Sequence, residues 1–234
     1  MSTIVMTGTG GALGGAVVRA LIGSGHAVAA LEPARGAARM VALETELGPR
    51  FSAHSGDAGD DAAWAAALPA IEQRHGAPTG AVLIAGGWQG GKPLHAGGGG
   101  EWRAMMDSNL ETVRAALAAL VPGMVARKAG SIVVIGSRAA VQPWTSANAA
   151  AYAAAKAGAV ALAQAVAAET TPHGVRINAV LPSVIDTAAN RAAMGEADAA
   201  RWVTPGSLAA VIEFLLSDAA RDVSGAALPV YGRA

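Results

Sequence analysis

Tyr152 and Lys156 interrupt an alanine-rich stretch, AYAAAKAGAVALAQ, that runs over residues 151–164. At about 100° per residue, positions i and i+4 share a helix face, so the phenol and the ammonium can work on one neighbouring group. A free tyrosine, with a pKa near ~10, is a poor base and a modest acid at neutral pH, and a nearby cation favours its phenolate. Lys156 supplies that cation. The stretch TGTGGALGG, residues 7–15, holds the second set of chemical residues: Gly8, Gly10, Gly11, Ala12, Leu13 and Gly14. Glycines between a strand and a helix let the backbone turn tightly and approach a pyrophosphate at the helix N-terminus. The pattern is Gly8-x-x-x-Ala12-x-Gly14. It departs from GxGxxG because Leu13 stands at the third glycine's place, and from a P-loop because Ala16 follows Gly15 where a lysine is needed. Glu32 ends the next apolar run, 18 residues beyond Gly14. A carboxylate there accepts bonds from the adenosine ribose hydroxyls and repels a 2′-phosphate, which favours NAD over NADP, whereas the neighbouring Arg35 suits a phosphate. Asp57, after the third apolar run, either contacts the adenine or caps a helix that begins near Asp60.

These residues need a scaffold, and the hydrophobic pattern supplies one. Short apolar runs alternate with helical ones: TIVMT and a helix from Leu13, AVAAL and a helix over 37–47, FSAHS and a helix through Trp64, AVLIA and a long helix over 101–126. SIVVI then precedes the Tyr152 helix, VRINAVL a looser segment and a helix over 206–216, and AALPV comes last. Continuous apolar strands, each followed by a helix, predict a parallel sheet covered on both faces. The expected fold is a single doubly wound α/β domain of Rossmann type, three layers deep, over 1–234. The glycine-rich stretch GGWQGGKPLHAGGGGE follows the fourth strand's carboxyl end, where open α/β sheets bind ligands.

Composition narrows the function. The 234 residues are 53% hydrophobic and 15% charged, which suits a folded core, and seventeen basic residues balance seventeen acidic ones. No long-range field draws such a chain to nucleic acid or an anionic membrane, so a small-molecule partner is expected. There is no cysteine, which excludes disulfides and thiolate chemistry and fits the cytoplasm. The apolar N-terminus lacks a basic n-region and is broken by glycines and Arg19, and the run 147–168 contains Lys156 and is mostly alanine. Neither is expected to be a leader or a membrane span. His26, His54, His75, His95 and His173 lack metal-ligand spacing, so no metal is expected.

With the glycine turn, Tyr152 and Lys156 together, the chain resembles the short-chain dehydrogenase/reductase family from end to end. That resemblance implies an NAD(P)H-dependent oxidoreductase acting on a small carbonyl or imine substrate. It implies Tyr152 as general acid/base, Lys156 on the nicotinamide ribose, Ser137 in VVIGSRAA as the donor to the substrate oxygen, and Asn109 in DSNLET as holder of a water that links Lys156 to solvent. The interval from Ser137 to Tyr152 is about two residues longer than the family's usual spacing. The resemblance extends to Asn178, Pro182, Ile185 and Thr187 in RINAVLPSVIDT, a segment that reaches the nicotinamide, and to DVSGAALPVYG. Ala85, Gly86 and Gly87 take the place of the family's paired asparagines with alanine and glycine after strand four, also against the cofactor. GALG, AGGWQGG and NRAAMGEADAARWVTP are most similar to dihydropteridine reductase-like members, whose pterin substrate is the alternative reading, and Trp88 is then a stacking platform for a flat heterocycle. A dinucleotide sensor without catalysis is a further alternative, disfavoured by the full catalytic set. An extended-branch dehydratase or epimerase needs a larger C-terminal substrate domain than 234 residues leave room for. Family members are commonly dimers or tetramers, so a homodimer or homotetramer is expected.

Overall fold

The computed structural model describes residues 2–233, and the two outermost residues of the expected 1–234 domain lie outside them. The run TIVMT forms β1 (Thr3–Thr7), every residue of it buried. After the glycine turn come α1 (Ala12–Gly23), β2 (Ala27–Glu32), α2 (Ala37–Leu47), β3 (Phe51–Ser55), α3 (Asp61–His75) and β4 (Pro78–Leu83). The second half adds α4 (Gly99–Met106), α5 (Thr112–Arg127), β5 (Gly130–Ile135), α6 (Ala150–Thr170), β6 (Val175–Pro182), α7 (Ala188–Met194), α8 (Pro205–Leu216) and β7 (Ala227–Val230). The strands lie in the order β3-β2-β1-β4-β5-β6-β7, all pairs parallel. The strand order reverses between β1 and β4, and the crevice above that point is where such sheets bind ligands.

Alternate residues of each strand feed two cores. Ile4 and Met6 face α1 and α8 with Val17, Leu21, Leu208 and Ile212, whereas Val5 faces the opposite layer with Trp64, Leu117, Met124 and Ala163. Both faces of the sheet are thus covered, and the expected Rossmann-type three-layer domain is what the chain forms.

Two elements differ from the sequence reading. The fourth strand starts at Pro78, three residues before the run AVLIA, and ends at Leu83, with Ile84 N–H still donating to the Thr7 carbonyl at 3.3 Å. The helix expected over 101–126 is interrupted by a π turn, Asp107–Glu111, between α4 and α5. Asn109 lies inside that turn, and π turns inside helices concentrate at functional sites. The segment 150–173 that begins with α6 is long and apolar enough to cross a membrane by length and composition alone. Its Ala155, Lys156, Ala159, Ala163 and Ala167 are buried inside the fold, so it is a core helix of the domain.

Candidate active site

The glycine turn is shaped by contacts that no side chain could share. Gly8 has φ +72, and a Cβ there would lie 2.7 Å from the Ala85 nitrogen. A Cβ on Gly14 would lie 2.2 Å from the Gly8 carbonyl, so α1 can start this close to β1 only without one. Gly10 and Gly11 have no such constraint, with nearest neighbours at 3.2 and 3.6 Å. Thr7 at the end of β1 ties the turn to the next strand across the switch point, its Oγ1 accepting from Ala85 N–H at 3.1 Å.

Glu32 is buried at the end of β2, and its carboxylate accepts from the Thr9 amide of the turn. Burial pushes its carboxyl above the usual range, opposed by the amides of Thr9, Gly10 and Gly8. Arg39 closes over the same turn by donating to the Gly10 carbonyl. Asp57 is not the cap of α3: Asp60 fills that position, accepting from Ala62 N–H at 2.9 Å, while Asp57 accepts from Gly59 N–H. Asp57, Glu32, Arg35, Arg39 and Ala85 line one cleft above the carboxyl ends of β1 and β2.

The second part of the cleft holds the remaining groups. It is about 400 Å³ in volume and shares Gly11, Gly86 and Gly87 with the first, so one trough crosses the switch point. Tyr152, Lys156, Ser137 and Asn109 all line it, with Ala12, Leu13, Gly14, Trp88, Pro182, Ile185 and Thr187. Lys156 is buried, its Nζ donating to the Ile135 carbonyl at 2.8 Å. Burial lowers its pKa from 10.5 to about 8. Burial likewise raises the Tyr152 phenol above its ordinary value, and a hydrogen bond with Ser137 pulls it partly back. Lys156 Nζ thus gives one of its three N–H donors to a backbone carbonyl, and burial holds the Tyr152 phenol above its ordinary value.

Asn109 is fully buried. Its Oδ1 accepts from Gly87 N–H at 3.2 Å, and its Nδ2 donates to the Gly87 and Met105 carbonyls at 3.0 and 3.1 Å. A Cβ on Gly86 would lie 2.6 Å from that Oδ1 and 3.4 Å from Lys156 Nζ, which is the physical reason for a glycine there. Ser137 opens a short 3₁₀ turn, its Oγ accepting from Ala139 N–H at 3.2 Å, and a second such turn, Pro143–Thr145, takes up the longer interval to Tyr152.

A dinucleotide fits this trough: two glycines sit where any Cβ would collide, and a buried carboxylate lies at one end and a buried lysine at the other. The model for the short-chain dehydrogenase family matches residues 2–197. Galactitol 2-dehydrogenase from Rhizobium johnstonii is 33% identical over 97% of this chain and 92% of its own length. Among solved structures, an oxidoreductase of the short-chain dehydrogenase/reductase family from Burkholderia thailandensis has a TM-score of 0.87 at 33% identity, covering 99% of this chain and 91% of that one. A 3-oxoacyl-[acyl-carrier protein] reductase with bound NAD from Brucella melitensis has a TM-score of 0.85 at 26% identity over 99% and 90%.

The chain is a short-chain dehydrogenase. As such it is an NAD(P)-dependent oxidoreductase acting on small molecules.

The loop 183–203, which the sequence points to as a wall of the substrate pocket, brings Ser183, Ala188, Ala189 and Asn190 to the trough beside Thr187 in this dehydrogenase, and Arg39, which the sequence reading passed over, covers the glycine turn. The first four follow the carboxyl end of β6, so the strand pattern was the signal for them; nothing in the spacing marked Arg39. Trp88 is 66% exposed and lines the trough, with the edge of its indole folded over Gly90, where a Cβ would lie 2.8 Å from Cζ2. Among the described residues no three His, Cys, Asp or Glu side chains gather as a metal site would require.

Proposed function

We propose that this dehydrogenase is an NAD(H)-preferring reductase of a small, uncharged carbonyl or imine compound, with Tyr152 as the proton donor. The observation that carries the reading is the convergence of Ser137, Tyr152 and the buried Lys156 on one part of the trough. Tyr152, held neutral by burial, gives its proton to the substrate oxygen or nitrogen, and Ser137 is aligned as the second donor to it. Lys156, buried on the trough wall, would hold the nicotinamide ribose, and Asn109 braces the Gly86–Gly87 backbone that forms that wall. When bound, the nicotinamide supplies the hydride. The turn from Gly8 to Gly14 would hold the pyrophosphate, Glu32 and Asp57 the adenosine, and Pro182, Ile185 and Thr187 the nicotinamide.

Lys156 is the one charged side chain among the described residues that line the catalytic part, which supports an uncharged substrate. The buried Glu32 carboxylate supports NAD by repelling a 2′-phosphate, against the pull of Arg35 and Arg39. A quinonoid pterin is the second reading, favoured by the exposed Trp88 indole on the trough wall. A homodimer or homotetramer through α5 and α6 is supported by the exposed small residues Ala154, Ala161, Ala165 and Ala168, which let helices approach closely. The cysteine-free composition supports a cytoplasmic enzyme.

The test is a panel of cyclic ketones, imines and quinonoid dihydropterin with NADH and NADPH, read by nicotinamide absorbance. Ketone or imine reduction that prefers NADH and falls with Ser137→Ala supports the first reading. Pterin reduction indifferent to Ser137→Ala but lost with Trp88→Ala supports the second. Tight NADH binding without any turnover points to a sensor.

A further inference from the structure

The segment after β7 touches three parts of the molecule that meet at the trough. The Arg138 guanidinium lies over the Tyr231 ring, 5.7 Å from its centroid, and Arg138 directly follows Ser137 in the chain. The Tyr231 carbonyl accepts from the Ser183 hydroxyl at 2.7 Å, and Ser183 stands at the start of the loop that carries Ile185, Thr187 and Asn190. The far end of that loop is held as well. Arg233 N–H donates to the Arg201 carbonyl at 2.8 Å, and Arg201 Nε donates back to the Arg233 carbonyl at 3.1 Å. Between them Gly232 has φ +67, and a Cβ there would lie 2.7 Å from the Arg201 carbonyl oxygen.

The loop also has a closed neck. Val203 N–H donates to the Val184 carbonyl at 3.1 Å, and Asp186 N–H to the Val203 carbonyl at 2.8 Å. Tyr231 to Arg233 therefore grips one strut of that neck at Ser183, the other at Arg201, and the serine's turn at Arg138.

We propose that Tyr231 and Gly232 are positioning residues for the substrate side of the site: they hold the neck of the 183–203 loop and the Ser137 turn in one register. The inference rests on the reading of Ser137 and the 183–203 loop as parts of the active site, but its physical content, a mechanical link between three segments, does not. A guanidinium–aromatic contact and a backbone hydrogen-bonded to both struts couple the positions of the three segments. Gly232 is the tightest point, since a side chain meets both an unfavourable φ and a backbone carbonyl.

The test is amide hydrogen exchange on the intact protein, with NADH binding followed by fluorescence in the same samples. In Tyr231→Ala, exchange at 137–140, 184–186 and 201–203 is expected to speed up by about tenfold or more, while β1 and α1 stay as in the wild type and NADH affinity falls by less than about tenfold, through the loosened Ile185 alone. Tyr231→Phe, which keeps the ring under Arg138, should restore the slow exchange, and Gly232→Ala should reproduce the effect of Tyr231→Ala. The proposal is overturned if only 231–233 exchange faster, if every segment speeds up equally, or if Tyr231→Phe behaves like Tyr231→Ala. Should Gly232→Ala fail to fold, the Tyr231→Ala and Tyr231→Phe pair decides alone. Because no substrate enters the measurement, its failure leaves the hydride-transfer reading untouched, and failure of that reading leaves the link intact.

Discussion

The two halves of the trough are built differently. On the adenosine side the walls are backbone: Gly8 and Gly14 sit where no Cβ fits, Thr7 bonds Ala85, and Glu32 is clamped by the amides of the turn. On the substrate side they are side chains and loop: an exposed Trp88, Ser183, Asn190 and the helix α7, held from outside by Arg201 and Tyr231. A wall made of backbone accepts one ligand shape and tolerates almost no substitution. A wall made of loop side chains can be rebuilt for a new substrate while the same hydride chemistry continues beside it.

That contrast predicts a graded series of effects. After the proton donor itself, the steepest is at the Ser137 hydroxyl, on the substrate side of the trough. Ser137→Ala removes one of two donors to the developing alkoxide, and steady-state kinetics with a ketone should find turnover lower by about 10²–10³-fold with NADH affinity unchanged. A loss in affinity instead would put the serine on the cofactor side. Next comes Gly8→Ala. Left-handed φ and a 2.7 Å approach to the Ala85 nitrogen mean that a methyl group must displace backbone, so thermal unfolding should register about 1–3 kcal/mol of lost stability, together with weaker NADH binding. An unaltered melting temperature would mean that the turn is softer than its geometry implies.

Legibility in the sequence followed the same division. The strand–turn–helix at the glycine motif and the bounds of β1, β3 and α2 were readable, because strand runs and glycine spacing are local signals, as was the Tyr152–Lys156 pair from its helical spacing; Asn109 and Ser137, which line the same trough, were reached only through the family resemblance. The π turn at Asn109 was not, since it arises when the Asn109 side chain competes for the Met105 carbonyl and the Gly87 backbone, a contact 22 residues away in sequence. Arg39 over Gly10 and Tyr231 under Arg138 were equally hidden: each is a single side chain meeting a distant segment, with no period or motif to announce it. Asp57 was half readable; its place after β3 was right, and only packing shows that Asp60 is the cap.

A smaller effect probes the adenosine wall through charge alone. Glu32→Gln keeps an acceptor for the Thr9 amide but removes the negative charge, so the ratio of NADPH to NADH activity should rise by about tenfold, the size of one lost like-charge repulsion. Because burial already raises this carboxyl, the wild-type ratio should drift the same way as the pH falls and Glu32 takes up its proton. No change in either experiment would mean that Arg35 and Arg39 set the preference.

The smallest effect lies away from the trough, at the edge of the sheet. His54 and His75 meet the buried Ser52 hydroxyl at 3.1 and 2.9 Å, and burial lowers both from 6.5. The unfolded chain therefore binds protons first as the pH drops through 6.5, so stability is complete above that value and falls below it. Urea unfolding at a series of pH values should show this slope, and His54→Gln should flatten it. A slope that survives the substitution would assign it to His75 alone or to the carboxylates.

The account stands on Tyr152 as the proton donor in a trough that binds the dinucleotide without it. Tyr152→Phe removes one hydroxyl from a ring that packs against Met105, Ala151 and Ala155, so the wall should stay in place. The decisive measurement is NADH affinity and single-turnover NADH oxidation on that one variant, with the best ketone from the panel. The predicted result is wild-type affinity with a rate lower by about 10²–10⁴-fold. Wild-type rates, or loss of NADH binding in step with loss of activity, would contradict it.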